Sequence, residues 1–385
     1  MSWSTVRADQ FCTLITDGTH DSPKPQQSGW KLITSKHLKG HYIDFDSANW
    51  ISEADYLKVI SRSAVEQWDI LFSMIGTIGN IYLEKNPHVE YACKNMGIFK
   101  FSGNKENALW IYYYLKSPQA KAYIQTHLRG STQAYVPLGG LREMPVPVPP
   151  QSVRNEIIAV LRPIDEKIEC NNAINDNLQQ QAMALYAEMF LNSSDNNVTS
   201  GTLSDIAVIT MGQSPSGSSY NEDGVGEVFY QGRAEFGFRF PKRRLFTTEP
   251  KRMAETGDVL LSVRAPVGDL NVAYESCCIG RGLGAIHSKT GHSSFVLYTM
   301  FALKSQLDVF NGEGTVFGSI NRDALNAIPI DVPLVTKIDR FEAVAHPIDE
   351  LIRTNYEENC RLEAIRDSLL PKLMSGEIDV SAVQL

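Results

Sequence analysis

The sequence predicts an α+β fold: two pseudo-repeated mixed α/β globular domains separated by a long antiparallel two-helix coiled coil. Three observations carry this. A strand-and-turn run occurs twice, as "WDILFSMIGTIG" (Trp68–Gly79) and "GDVLLSVRAPVG" (Gly257–Gly268). Each copy leads to a proline-rich exit followed by a long heptad pattern. Both heptad patterns carry asparagine at the same two positions. The expected boundaries are residues 1–150 and 196–335 for the globular domains, and 151–195 and 336–385 for the helices.

The repeat extends through most of the chain, and repeats of this length define the architecture. "CKNMGIF" (Cys93–Phe99) matches "GRGLGAI" (Gly280–Ile286), and "RPIDEKI" (Arg162–Ile168) matches "HPIDELI" (His346–Ile352). Within each domain, short apolar runs broken by Gly and Pro read as strands, among them "GWKLITSKHLKG", "GIFKF", "EVFYQGRA" and "LGAIHS". "NALWIYYYLKSPQAKAYIQTHL" and "SSFVLYTMFALKSQLDVFN" read as helices in matching places.

In the first heptad pattern the apolar positions are Ile157, Leu161, Ile164, Ile168, Asn171, Asn175, Leu178, Ala182, Leu185 and Met189. In the second they are Phe341, Ala345, Ile348, Ile352, Asn355, Asn359, Leu362, Arg366, Leu369 and Leu373. The alternating steps of 4 and 3 define a coiled-coil seam, where a buried polar residue costs stability but fixes register. Antiparallel pairing sets Asn171 against Asn359 and Asn175 against Asn355. Any other register sets asparagine against aliphatic groups. Pro163 and Pro347 lie inside the patterns, where a kink or a restarted helix is expected.

The chain has 385 residues and a formal charge of −8. By segment, Lys+Arg against Asp+Glu is 15 against 13 in 1–150, 3 against 7 in 151–195, 12 against 14 in 196–335 and 6 against 10 in 336–385. The short segments alone account for −8, since −4 and −4 are theirs. The globular segments are neutral together, and a neutral domain with a basic face still binds phosphate. The six cysteines form no CxxC pattern, and the N-terminus lacks an apolar leader segment. These features point to reduced thiols in a cytoplasmic protein. No P-loop, HExxH or GxGxxG after a strand is present. No metal or cofactor site and no catalytic residue is expected.

"TDGTHDSP" (Thr16–Pro23), "GDVLLSVRAPVG", "IGRGLGAI", the "PVPVPP" exit before "IDEKI", and "LLPKLMSGEIDV" (Leu369–Val380), duplicated in this order, resemble the specificity (S) subunits of type I restriction-modification systems. The resemblance covers essentially the whole chain. It implies two target recognition domains, each reading one half of a bipartite, asymmetric site on double-stranded DNA. It implies helices that act as a ruler for the unread spacer and dock two methyltransferase (M) subunits, which restriction (R) subunits can join. The subunit itself would be non-catalytic. Thirty-three seam residues at 1.5 Å give roughly 50 Å of helix. That length would hold two reading modules about one to one and a half DNA turns apart. The alternative is a duplicated protein-binding scaffold that reads no DNA.

The DNA-facing candidates are polar residues on loops that follow strands. Arg and Lys suit guanine or phosphate, and Gln or Asn suits adenine. His20 and Lys24 lie in the opening turn, where Asp17 and Gly18 are expected to be structural. Lys36 and His37, in "TSKHL", correspond to Gln231 and Arg233, in "YQGRAEF". Arg239, Lys242, Arg243 and Arg244 form the densest basic run, "FRFPKRRLF", a pattern that phosphate tracking and plain solvation both produce. Lys94 and Arg281 occupy matching glycine-flanked positions, and glycine allows close backbone approach. Arg129 lies in "RGSTQ", whose counterpart is "EGTVF" (Glu313–Phe317). Arg264 stands where the first copy has Met74 or Ile75. It therefore belongs to what differs between the halves, as a reader of the second half-site or as a brace for its own turn.

Overall fold

The computed structural model describes residues 3–40, 42–192, 198–312 and 318–380. The chain divides into two compact units. The first is Met1–Cys170 with Asn359–Leu385, and the second is Asn171–Glu358. Each unit takes one segment from each long helix.

In the first unit a four-stranded antiparallel sheet has the order Leu14–Asp17, Met96–Lys100, Ile70–Ser73, Ile81–Leu83. The inner strands alternate Ile, Leu, Phe and Met and are buried on both faces. One face packs on helix Lys105–Lys116, whose Trp110 and Tyr113 are among the largest fully buried side chains. The other packs on a smaller sheet, Asn49–Ile51, Trp30–Ile33, Tyr91–Cys93, in which the last two strands run parallel.

The second unit repeats this plan. Its main sheet runs Ala207–Met211, Leu283–Ser288, Val259–Ser262, Leu270–Val272, again antiparallel throughout. Its smaller sheet keeps the parallel pair, Glu227–Tyr230 beside Cys277–Ile279, with Leu245–Thr247 as the antiparallel neighbour. Two conserved turns show how deep the repeat goes. Trp68 and Gly257 both have positive φ, 71° and 89°, and each is followed by a buried aspartate, Asp69 or Asp258. Each carboxylate caps the backbone N–H three residues earlier, at Glu66 or Glu255. Burial raises both carboxyls above the ordinary aspartate value, and Lys100 or His287, equivalent positions on the neighbouring strand, answers the charge.

The long helices span Gln151–Tyr186 and Val335–Ser375. Both continue through Pro163 and Pro347, so neither helix restarts at its proline. Each proline is on the exposed side of its helix, so the ring points away from the packed seam and only one backbone bond is forfeited. The helices pair antiparallel within each unit. In the second, Asn355 Nδ2 donates to Asn175 Oδ1 at 2.8 Å, and Asn171 Nδ2 donates to Glu358 at 2.7 Å. In the first, Arg366 pairs with Asp165 at 2.9 Å. Burial alone would raise the Asp165 carboxyl, but Lys116 and Arg366 outweigh it and hold it below the usual range. A buried polar pair costs more to desolvate than an apolar pair of the same shape. Replacing both Asn175 and Asn355 with leucine is therefore expected to raise the melting temperature of the second unit. A lower melting temperature, read by differential scanning calorimetry, would show that the pair is net stabilising.

Candidate nucleic-acid interface

In each unit, loops at one end of the main sheet are tied to their neighbours by backbone hydrogen bonds. In the first, the turn after strand Leu14–Asp17 docks on the loop Lys94–Asn95: Gly18 N donates to Met96 O and Thr19 N to Cys93 O, both at 2.9 Å, and Asn95 N returns to Thr19 O at 3.1 Å. Lys94 N in turn donates to Ile33 O at the start of the loop carrying Lys36. The turn after strand Ile70–Ser73 receives Val136 N on Met74 O and bridges Ile75 to Tyr135, which pairs with Arg129.

The second unit repeats most of these bonds with different residues and adds two of its own, from Gly282 N and Val263 N. Gly212 N donates to Leu283 O and Gln213 N to Ile279 O. Gly282 N donates to Gln231 O at 3.1 Å, and Val263 N to Gly282 O at 2.9 Å. Ile320 N meets Val263 O, and Arg264 bridges Ser319, as Ile75 bridges Tyr135. The segment between the matching strands, Gly280–Arg281–Gly282, is one residue longer than Lys94–Asn95. That extra residue pushes Arg281 outward between two glycines. A Cβ on Gly280 or Gly282 would lie 2.8 Å from Gln231 backbone atoms, so both positions exclude side chains.

The opening turn has the tightest contact. A Cβ on Gly18 would sit 2.3 Å from Cys93 O, and one on Gly212 would sit 2.1 Å from Gly280 O. Both obstacles are backbone, so neither can swing away. Gly18→Ala is therefore expected to separate the turn from the Lys94–Asn95 loop and destabilise the first unit by roughly 2–4 kcal/mol, in the range of overpacked or strained sites. A change below about 0.5 kcal/mol in urea unfolding would show that the loops have slack. The equivalence of "TDGTH" and "TMGQS" is not evident from the sequence, because the bonds are between backbone groups and only the first Thr and the Gly are shared.

The candidate side chains fall into three groups. Lys24, Lys36, Arg129, Gln231, Lys242, Arg264 and Arg281 are exposed, and among the described residues no side-chain hydrogen bond or ion pair holds them. Of these, Lys36, Arg129, Gln231, Arg264 and Arg281 sit on the locked loops. A second group is tethered, and all of it is exposed except the half-buried Lys94. His20 is held between Asp17 and Asn95, and Lys94 by the Ser22 hydroxyl. Arg233 pairs with Asp269, Arg243 with Glu275 and Arg244 with Glu235.

The third group is buried, and two expectations are corrected there. His37 closes its own short helix: its Nδ1 accepts from Thr34 N at 2.8 Å. Burial, followed by Lys36, lowers its pKa, so the ring stays neutral and packed. Arg239 is only 4% exposed and faces the long helices, with Asp349 at 2.7 Å and Gln179 at 3.0 Å. The run "FRFPKRRLF" is thus no continuous phosphate track. Its four cations split between the interior, two surface ion pairs and one free lysine.

Several residues of the site were not singled out from the sequence. Arg62, on helix Glu53–Ser63, donates to the carbonyls of Asp17 and Gly18 and fixes the opening turn from behind. Lys58, on the same helix, pairs with Asp21, whose carboxyl is lowered by that bond. Together they border an open cleft of about 770 Å³ beside the turn. The second unit has no helix in this place. Ser214 stands where the first unit has His20 and accepts from Arg281 N at 3.2 Å.

Loops that differ in chemistry on a duplicated, backbone-locked frame define a two-site recognition protein. Residues 3–180 match the family model described as "Type I restriction modification DNA specificity domain". The chain is 26% identical over 406 residues to the specificity subunit assigned to the type I restriction enzyme MjaX of Methanocaldococcus jannaschii, covering 98% of this chain and 94% of that one. It is 22% identical to the MjaIX specificity subunit of the same organism, covering 90% and 86%. The crystal structure of a type I restriction-modification S subunit from M. genitalium shares the fold, with a TM-score of 0.56 at 15% identity over 97% of this chain and 96% of that one. Residues 3–180 thus carry the likeness to that DNA specificity domain, and the relatives that match most of the chain's length are type I specificity subunits.

Among the described residues, no group of His, Cys, Asp and Glu could hold a metal ion, and no helix is long and apolar enough to cross a membrane.

Proposed function

We propose that each unit reads one half of a bipartite site on double-stranded DNA through its locked loops. The chain is the non-catalytic DNA-specificity component of a type I restriction-modification complex, working in the cytoplasm with methyltransferase and restriction subunits. In the first unit the contacts fall to Lys36, Lys94 and Arg129, with His20 and Lys24 at the opening turn. In the second they fall to Gln231, Arg264 and Arg281, with Arg233 beside them. Lys242, Arg243 and Arg244 would contribute general attraction to phosphate at the margin. The recognition domains would be 1–150 and 196–335, and the helices 151–195 and 336–385 would set the spacer and dock two methyltransferase subunits.

The observation that carries this reading is the pattern of what is kept. Most of the backbone bonds between loops recur in both units, while the side chains projecting from them differ and several have no partner among the described residues. Unpaired guanidinium and amide groups on a rigid frame are what direct base readout needs. The test is binding of the complex with its methyltransferase subunits to random-sequence duplexes across a salt series. Log affinity is expected to fall linearly with log salt, with a slope set by the number of phosphates neutralised. A flat line would overturn the DNA reading and favour a protein-binding scaffold.

A further inference from the structure

We infer that protonation of His20 sets which side of the Asn95 amide faces the DNA, so that the first unit's half-site preference changes with pH while the second unit's does not. This rests on the reading that the locked loops contact DNA. His20 Nε2 lies 2.8 Å from Asp17 Oδ2, and its Nδ1 lies 2.9 Å from Asn95 Oδ1. Asp17 is itself held by Arg62, 3.4 Å from its other oxygen. A carboxylate only accepts, so Nε2 carries a proton, and the state of Nδ1 decides the rest.

With Nδ1 protonated, the ring donates to Asn95 Oδ1, as arranged here. The Asn95 Nδ2 hydrogens are then left to donate outward, to guanine O6 or N7, adenine N7 or thymine O4. When the proton leaves to solvent, Nδ1 becomes an acceptor and requires Nδ2. The amide turns over and offers Oδ1 outward, to cytosine N4 or adenine N6. One proton exchanges a donor for an acceptor at a fixed place. Asn95 is anchored for this: its φ of 54° is one that Asn tolerates, and its N–H is tied to Thr19 O.

The charged groups around His20 are Asp17, Asp21 and Lys24 on its own segment, Asp55, Lys58 and Arg62 on helix Glu53–Ser63, and Lys94 on the Asn95 loop. The second unit has Ser214 and Gly282 in these places, which neither titrate nor flip.

The test selects duplexes from a random library with the complex of this chain and its methyltransferase subunits, at about pH 5.5 and about pH 8.5. One position of the first half-site is expected to change its preferred base, by about tenfold or more in relative enrichment, with the second half-site constant. His20→Gln should abolish the change, and so should Asn95→Gly, which copies the second unit. Retained enrichment of the second half-site reports that each variant is folded. An identical first half-site at both pH values, or a change that persists in both variants, would overturn the inference. Absence of any enriched sequence at either pH would instead overturn the DNA reading beneath it.

Discussion

Replacing Arg239 with alanine is expected to destabilise the second unit by about 3–5 kcal/mol, the usual result of removing one partner from a buried ion pair. For a unit of this size that corresponds to a melting temperature lower by roughly 6–20 °C. The loss has a definite origin. Arg239 is buried against the long helices, donating to Asp349 and to Gln179, and Tyr298 donates to the same Asp349 oxygen at 2.9 Å. Without the guanidinium, the Asp349 carboxylate keeps only the Tyr298 bond. The salt slope of DNA binding, measured below the melting temperature, is expected to stay the same. A lower slope with an unchanged melting temperature would return Arg239 to the DNA surface.

Arg281→Ala is expected to do the opposite. Its guanidinium is exposed and has no bonding partner among the described residues, so stability should change by less than about 0.5 kcal/mol. Binding should weaken by about 1–3 kcal/mol, roughly 5- to 150-fold, with selectivity lost at one position of the second half-site. The first half-site should be untouched. Uniform weakening across all sequences, with a salt slope reduced by about 1, would make Arg281 a phosphate contact and not a reader. Arg264→Ala separates the same two possibilities on the neighbouring loop.

These two arginines show which parts of the molecule were legible in the sequence. Periodicity has direction: a step of 4 and 3 names the inward face, so the seam from Ile157 to Leu373 could be read, with its asparagines. The duplicated offset likewise gave the matching strands. Charge has no direction in a sequence. Arg239 and Arg243 are four residues apart in one basic run, yet one is interior and the other is a surface ion pair with Glu275. His37 and Glu235 each end a 3-10 turn that follows equivalent strands, and both turned inward. A short 3-10 turn decided that, and no apolar spacing announces such a turn. The joining of the loops was illegible for another reason. Backbone atoms make it, and the only trace left in the sequence is glycine where a Cβ would collide.

The division of the chain has a consequence for how such a protein can change over generations. The first unit is built from both ends of the polypeptide, and Trp3 lies against Gly376 near its two termini. The second unit is one unbroken stretch, Asn171–Glu358, inserted between them. Exchange of that stretch between related genes needs only two crossovers, and both fall within helices. Each crossover lies beside polar seam residues, Asn171 and Asn175 on one helix and Asn355 and Glu358 on the other, whose mutual bonds are internal to the exchanged piece. A cassette cut there would carry its own pairing with it, so a lineage could acquire a new half-site in a single recombination event while inheriting the other intact.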